Sequence, residues 1–568
     1  MADLAIGSIG LIGAIDVCWK WGTKLVQTCD AFRQADSQLD EYICRLEARW
    51  LRVEDQLQML RKMDPLLGHH HRAVQQRSLE IVMAKVKVAV AKLEGLIVER
   101  PDPGQQRPRA KPEVKKLKYA IFKDGVADAI SNLEQWQQTF DPSWFLMLRI
   151  ADPHVDALLA ATAAATSVSA SGTQRGLLPS LPLSAAQSIR RAINLSSTGT
   201  SRAKSETYVS VRGLVAGTIR PIPFSTASTA VRADNQQAVL LDPVTYASRS
   251  SVNAMLRDIR NFASSLRGAD PFAFGLLDCK GILKEDEAVE TAAGTEATPS
   301  SITLPAGLAF VFRLPATHSS LESLRGRLLD GEHRAHDSLS DRFALARQMA
   351  TAVSYVHLYG FVHKNIRPET ILLCHTSLPG GTPGEGPGNA DGVAGETVAL
   401  VGFDVLREAE GKTRRVGDND WEKNLYRHPQ RQGLSLHFDY EMRHDIYSLG
   451  VCLLEVGLWE SFIGYGTGSG ARVSLGPGLG VPGGEMSGPE LLKDPERTKD
   501  HLLRLARGPR LRRQMGTMYA KVVETCLTCL DKGNIDFGDE KEFQDEDGVA
   551  VGVRYIEKVV MSLGEITA

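Results

Sequence analysis

Four places in the chain set chemically capable residues at spacings that invite a function. Cys526 and Cys529, in CLTCL, have the spacing of a redox pair or of half a zinc site. His69, His70 and His71 stand together after DPLLG, a run with metal-ligand character. GYGTGSG, residues 464–470, has the glycine density of a loop that cradles phosphate. HKNIRPETILL, residues 363–373, sets His363, Asn365 and Thr370 in a polar stretch ahead of an apolar run. An amide such as Asn365 accepts no proton at neutral pH, and Thr370 offers one neutral hydroxyl.

The surroundings favour a blander reading of the first three. No second cysteine pair has ligand spacing, and CLTCL lies in an apolar helical pattern, so buried helix cysteines are expected. The histidines follow a turn between helices, where a solvated loop is expected. GYGTGSG has no apolar strand pair beside it and no lysine strand after it. It and LPGGTPGEGPGNADGVAGE therefore read as flexible surface insertions, near 464–488 and 378–396. No metal-ligand set is expected.

At 568 residues, two or three domains are expected. The 66 basic and 68 acidic residues nearly cancel, so nothing points to nucleic acid as a partner. The eight cysteines are scattered and the start MAD lacks a secretory n-region, which points to a reducing, cytoplasmic setting. No run reaches the roughly 18 to 20 apolar residues of a spanning helix.

From Leu4 to about residue 160 apolar residues recur at three- and four-residue steps with charges between them, the pattern of a helical bundle. Breaks fall at DPLLG and at RPDPGQQRPRAKP, residues 100–112. ATAAATSVSASGTQ suits an exposed connection, and a last helical piece closes the domain near residue 195. SSTGTSRAKS reads as a linker, over 196–205. Beyond 206, short β-branched runs with one helical run give way, past 340, to helices.

Residues 206 to about 530 resemble protein kinases, because several motifs occur in that family's order. FALARQMATAVSYVHLYGFVHKNIRPETILL is similar to the long helix and catalytic loop. TVALVGFDVLRE resembles the strand bearing D-F-G, and YRHPQ, residues 426–430, stands where A-P-E lies. HDIYSLGVCLLEV is similar to the D-x-x-S-x-G helix, with Asp445 to brace the catalytic loop and Gly450 as its glycine.

The resemblance implies a bilobal fold, with a small lobe over 206–315 and a large lobe over 316–568, and it locates absent chemistry. Asn365 stands at the proton-accepting Asp, Thr370 at the metal-binding Asn, and Gly402 at the D-F-G Asp, with Asp404 two residues on. AVLLDPVTY, at the strand of the phosphate-holding lysine, contains no lysine. SVNAMLRDIRNFASSLR, at the orienting helix, has Asp258 but no Glu. TYVSVRGLVAGTI, expected as the glycine-loop strand pair, has Gly213 and Gly217 without G-x-G-x-x-G. Losing a general base removes about two to four decades of rate, and each electrostatic clamp a comparable amount. The resemblance thus implies a pseudokinase in which His363, Asp445 and Gly450 hold shape.

The first segment, LAIGSIGLIGAIDVCWKW, sets Gly7, Gly10 and Gly13 inside an apolar run, where glycines let backbones approach. As a helix from Leu4 to Val17 it spans about 21 Å, short of a roughly 30 Å hydrocarbon core. Bundle packing is the favoured role and partial insertion or oligomerisation the other. With LEQWQQTFDPSWFLMLRIADP, this start resembles the HeLo-type domains of fungal prion-inhibition and cell-death proteins, over about 1–195. That resemblance implies oligomerisation and attack on membranes through the N-terminal helix.

The expected chain is therefore multidomain, an all-α helical bundle followed by an α+β bilobal protein-kinase-like fold. It is expected to be a signalling or cell-death regulator without catalytic residues, metal or cofactor. Its expected partners are other copies of itself, membrane lipids and an upstream signalling protein, with recruitment from cytoplasm to membrane. Two alternatives stay open: a weak protein kinase using ATP and Mg, with Asp404 turned inward, and an interaction adaptor that never meets a membrane.

Overall fold

The computed structural model describes residues 10–32, 37–94, 137, 140–150, 152–169, 185–187, 189–191, 193–194, 208–209, 213–215, 217–244, 252–284, 308–315, 318–376, 396–403, 407–408, 420–433, 438–466, 473–481, 493–537 and 549–566. The chain divides into two compact units, residues 1–190 and 191–568. The first is helical and the second mixes sheets with helices.

In the first unit α1 (Leu11–Phe32) packs on α2 (Ser37–Met63) and α3 (His69–Glu94). The helical spacing decides which side chains turn inward: Leu11, Ala14, Ile15, Cys18 and Leu25 of α1 are buried, as are Trp50, Leu57 and Leu60 of α2 and Leu79, Val82 and Val86 of α3. Gly10 stands just ahead of α1, and its carbonyl accepts the N–H of Ala14 at 3.0 Å. Gly13 is half-buried within α1, and Gly7 lies outside the described residues. Among the described residues no helix is long and apolar enough to cross a membrane.

FDPSWFLML, residues 140–148, is the centre of this unit: every residue in it is buried. Residues 140–146 are helical (α4), and the Asp141 carboxylate is held by Arg52 and by Gln56 Nε2 at 2.8 Å. Trp144 Nε1 donates to the Gln56 carbonyl at 3.0 Å, so the large indole is buried with its polar atom satisfied. Arg190 then ties the end of the unit to this segment, donating to the carbonyls of Leu148 at 2.7 Å and Ile150 at 3.0 Å and pairing with Asp156.

Two expectations are corrected here. His71 is not solvated: α3 begins at His69, which turns His71 inward, and its Nε2 lies 3.3 Å from the Ser143 carbonyl. The alanine-rich run is not a connection up to Ser169, because α5 (Pro153–Ser169) carries it as helix, in keeping with the high helix propensity of alanine.

In the second unit a six-stranded sheet has the order β1-β5-β6-β4-β3-β2. Its strands are β1 (Tyr208–Val209), β2 (Arg220–Pro221), β3 (Ser228–Val231), β4 (Ala238–Pro243), β5 (Cys279–Lys284) and β6 (Leu308–Arg313). β1 runs parallel to β5, and the other neighbours are antiparallel. α6 (Val252–Ser265) joins β4 to β5 and packs on β5. The described residues of TYVSVRGLVAGTI do not form the expected strand pair. The two-residue β1 is followed by an isolated bridge at Leu214, with Gly217 at φ +78°, and the first antiparallel pair is β2–β3.

The helical part contains α7 (Leu324–Leu329), α8 (Leu339–Leu358), α9 (Met442–Leu458), α10 (Pro495–Arg507) and α11 (Pro509–Leu527). A capping box between Ser338 and Asp341 starts α8. Every residue of α9 is buried, and a Cβ on Gly450 would fall 2.7 Å from Cys526 Cβ, so that glycine lets α11 approach. Cys526 and Cys529 are buried free thiols, and burial pushes both thiols up.

The second glycine-rich stretch departs from the flexible insertion expected. The short strands Ile463–Tyr465 and Val473–Leu475 pair antiparallel, so a strand pair does flank GYGTGSG. Side chains at Gly476 and Gly478 would strike the backbone of Ser461 at 2.2 Å and Glu460 at 2.5 Å. Close backbone packing, with Leu479 fully buried, is what these glycines serve. Nearly all of the first stretch lies outside the described residues, which resume at Glu396.

Candidate functional site

The helix α8 delivers β8 (Phe361–Val362), the loop 363–370 and β9 (Ile371–Thr376), which pairs antiparallel with β10 (Glu396–Leu400). Because Leu400 lies opposite Ile371, the residues that follow β10 return beside the loop. The hairpin register thus brings His363, Asn365, Thr370 and Gly402 together from two distant stretches. Asp404 lies outside the described residues.

Each of these groups is engaged within the protein. His363 is fully buried, with Nε2 3.0 Å from the Val401 carbonyl and Nδ1 accepting the Asn365 N–H at 3.2 Å. Burial lowers its pKa to about 4, so the ring is neutral. Asn365 bridges the two stretches: its Nδ2 donates to the Gly402 carbonyl at 3.2 Å and its Oδ1 accepts from Arg367 Nε at 3.0 Å. Thr370 Oγ1 donates to the Asn365 carbonyl at 2.8 Å and accepts the Arg367 N–H at 3.2 Å, closing the loop on itself.

Asp445, at the start of α9, supports the loop from below. It is fully buried and accepts the backbone N–H of His363 at 2.8 Å and of Lys364 at 2.9 Å, together with the Tyr440 hydroxyl at 2.7 Å; His357 Nε2 lies 3.1 Å away. Burial acts to raise its pKa, but hydrogen bonds from His357 and Tyr440 overcome that and hold the carboxyl below its usual range. The support matters because Lys364 has φ +69°, a conformation that a side chain disfavours.

Gly402 has φ +84°, and a Cβ there would fall 2.3 Å from Thr370 Cγ2. A carboxylate-bearing residue does not fit at this position. Phe403 fills an aromatic column, with ring centroids 4.8 Å from His363, 4.7 Å from Phe262 of α6 and 6.0 Å from Phe310 of β6.

The residue that joins this site to the sheet is Asp242, on β4. It is fully buried, and its Oδ2 accepts the backbone N–H of Gly402 at 2.9 Å and of Phe403 at 3.1 Å. Sequence reasoning missed it, although a single charge in the otherwise apolar AVLL run was a visible signal. Also missed was the fully buried Arg325, which donates to Glu369 at 2.9 Å and pairs with Glu455 and Tyr426. Asp258 of α6 is buried.

Chemically, the arrangement is a lock. No carboxylate stands where Asn365 sits to take a proton, the Asn365 amide is spent on Gly402 and Arg367, and the strand β4 ends in a negative charge. No family model matches the chain, and no curated protein matches it.

Proposed function

We propose that the second unit is a protein-kinase-like scaffold without phosphoryl-transfer chemistry, which controls a HeLo-like helical bundle in a signalling or cell-death role. The observation that carries the reading is Asp242. Phosphoryl transfer relies on a strand lysine that holds the phosphates, braced by an acid on the next helix. β4 precedes α6 in that order and lies between β3 and β6, yet it carries a carboxylate given over to the amides of Gly402 and Phe403. Together with Asn365, Thr370 and Gly402, this supports the reading that, among the described residues, the family's phosphate-holding lysine, metal-binding Asp and Asn and proton-accepting Asp are each replaced.

The proposed partners are further copies of the chain, membrane lipids and an upstream signalling protein. The test for the inactive scaffold is a melting curve of the full chain with and without ATP and Mg. A ligand at 100 times its dissociation constant adds about 2.7 kcal/mol. No shift and no phosphate transfer are expected; a clear shift with transfer to protein substrate overturns the reading in favour of a weak kinase.

A specific observation favours the adaptor as a second reading. Leu11, Ala14, Ile15 and Cys18 are buried in the bundle, so α1 must unpack before that face meets lipid. Leakage of liposomes by residues 1–195, diminished by Gly10→Leu, supports the membrane role. Absence of leakage from both the full chain and the isolated bundle supports the adaptor.

A further inference from the structure

We propose that Glu322, His375 and Glu396 form a site for a first-row divalent cation such as Zn2+, and that the Arg327 guanidinium fills this site in the metal-free protein. The ligands come from three neighbouring strands: β7 (His318–Ser323), β9 and β10. Glu396 lies directly opposite His375, and Glu322 lies opposite Leu373, two residues from His375, so all three side chains share one sheet face. One ligand atom from each lies within 4.8 Å of the others. His375 Nε2 is 3.0 Å from Glu322 Oε1, and its Nδ1 is 3.6 Å from Glu396 Oε2. Zinc binds such nitrogen and oxygen ligands at about 2.0–2.2 Å, which sets tetrahedral neighbours about 3.3 Å apart.

A positive centre already stands where the three converge. Arg327 Nη2 is 2.6 Å from Glu322 Oε1, 2.9 Å from Glu396 Oε2 and 3.4 Å from His375 Nε2. The guanidinium also has an alternative berth. Its Nη1 donates to Asp337 Oδ1 at 2.6 Å, while Asp337 Oδ2 is buried with no hydrogen-bond partner among the described residues. Turning Arg327 to take both Asp337 oxygens as a bidentate pair satisfies that orphan and leaves the three ligands to a metal. Three carboxylates surround one guanidinium, so the cluster carries an excess of negative charge that an added cation would offset. None of these residues belongs to the cluster of Asn365, Gly402 and Asp242, so the inference does not rest on the proposed function.

The test is calorimetric titration of the full chain with Zn2+, in a background carrying His69→Ala, His70→Ala and Cys44→Ser to remove exposed ligands. One ion per chain is expected. His375→Ala and Glu396→Gln should each weaken binding about tenfold or more, and Arg327→Met, which removes the internal competitor, should tighten it by about the same factor. If Arg327→Met does not fold alone, recovery of its folding by Zn2+ is the expected result. The inference is overturned if the background chain takes up no Zn2+, if uptake survives His375→Ala unchanged and so reflects an adventitious ion only, or if Arg327→Met neither tightens binding nor is rescued.

Discussion

Asp242 Oδ2 accepts the backbone N–H of Gly402 at 2.9 Å from a position 160 residues earlier in the chain. Together with the Phe403 N–H, this contact engages one oxygen of a fully buried carboxyl group and fastens the sheet to the loop cluster. Hydrogen bonds to charged groups contribute about 1.5–3 kcal/mol each. Asp242→Ala should therefore cost about 2–4 kcal/mol in urea unfolding, and Asp242→Asn less. The Gly402 and Phe403 amides should exchange with solvent far faster in both variants. Unchanged exchange at these two amides contradicts the fastening role.

Installing the residues that the proposed kinase-like reading requires should fail on steric grounds. Asn365→Asp replaces the amide that donates to the Gly402 carbonyl by an acceptor, and Thr370→Asn enlarges a fully buried side chain. Gly402→Asp instead combines φ +84° with a Cβ 2.3 Å from Thr370 Cγ2. The left-handed backbone costs about 1–2 kcal/mol and overpacking about 1–3 kcal/mol. The triple variant should unfold at lower urea than the parent and transfer no phosphate. Transfer by this variant would show that the cluster opens more readily than its geometry implies.

In the bundle, two glycines should behave oppositely. A Cβ on Gly22 would fall 1.6 Å from Trp50 Cζ2, so Gly22→Ala should cost about 1–3 kcal/mol. Gly10 has nothing within 4 Å of its Cβ position, and Gly10→Ala should stay within about 0.5 kcal/mol of the parent. Equal melting temperatures for the two variants would contradict the seating of the indole on α1.

Stability should fall on mild acidification. Burial holds His71 and His363 at a pKa of about 4 and His444 at about 3, below the ordinary 6.5. Between 6.5 and those lower values the unfolded chain binds protons that the folded chain refuses. Each buried histidine then removes about 1.4 kcal/mol per pH unit, and the loss begins as pH drops through about 6.5. Asp445, held low, adds to the loss only further down, beginning as pH falls through the ordinary carboxylate value of about 3.9. The urea midpoint should be lower at about pH 5 than at about pH 7. A level or rising midpoint contradicts the buried neutral histidines.

Some of the architecture was legible because it is local. Apolar steps of three and four define α1, α2 and α3, and the apolar HDIYSLGVCLLEV defines a helix buried on every side. FDPSWFLML was noted only within the segment that carries the HeLo-type resemblance, and its burial at every residue came from the fold. Reading stopped at boundaries that depend on packing. His71 looked like loop because nothing local shows which way a helix start will turn. GYGTGSG looked unsupported because three-residue strands are too short to announce themselves without their partner.

The sequence by itself determined which chemical groups are absent: Asn365, Thr370 and Gly402 bring no proton acceptor and no metal-binding carboxylate, whatever the fold. Only the tertiary structure decided what those residues do instead. Asn365 Nδ2 reaches the Gly402 carbonyl because β9 and β10 pair with Leu400 opposite Ile371, and Asp242 meets the same turn only because β4 ends above it. Such contacts join residues tens to more than a hundred positions apart. Side-chain chemistry is written in each residue, but its partner is chosen by register and packing, which exist only once the chain has folded.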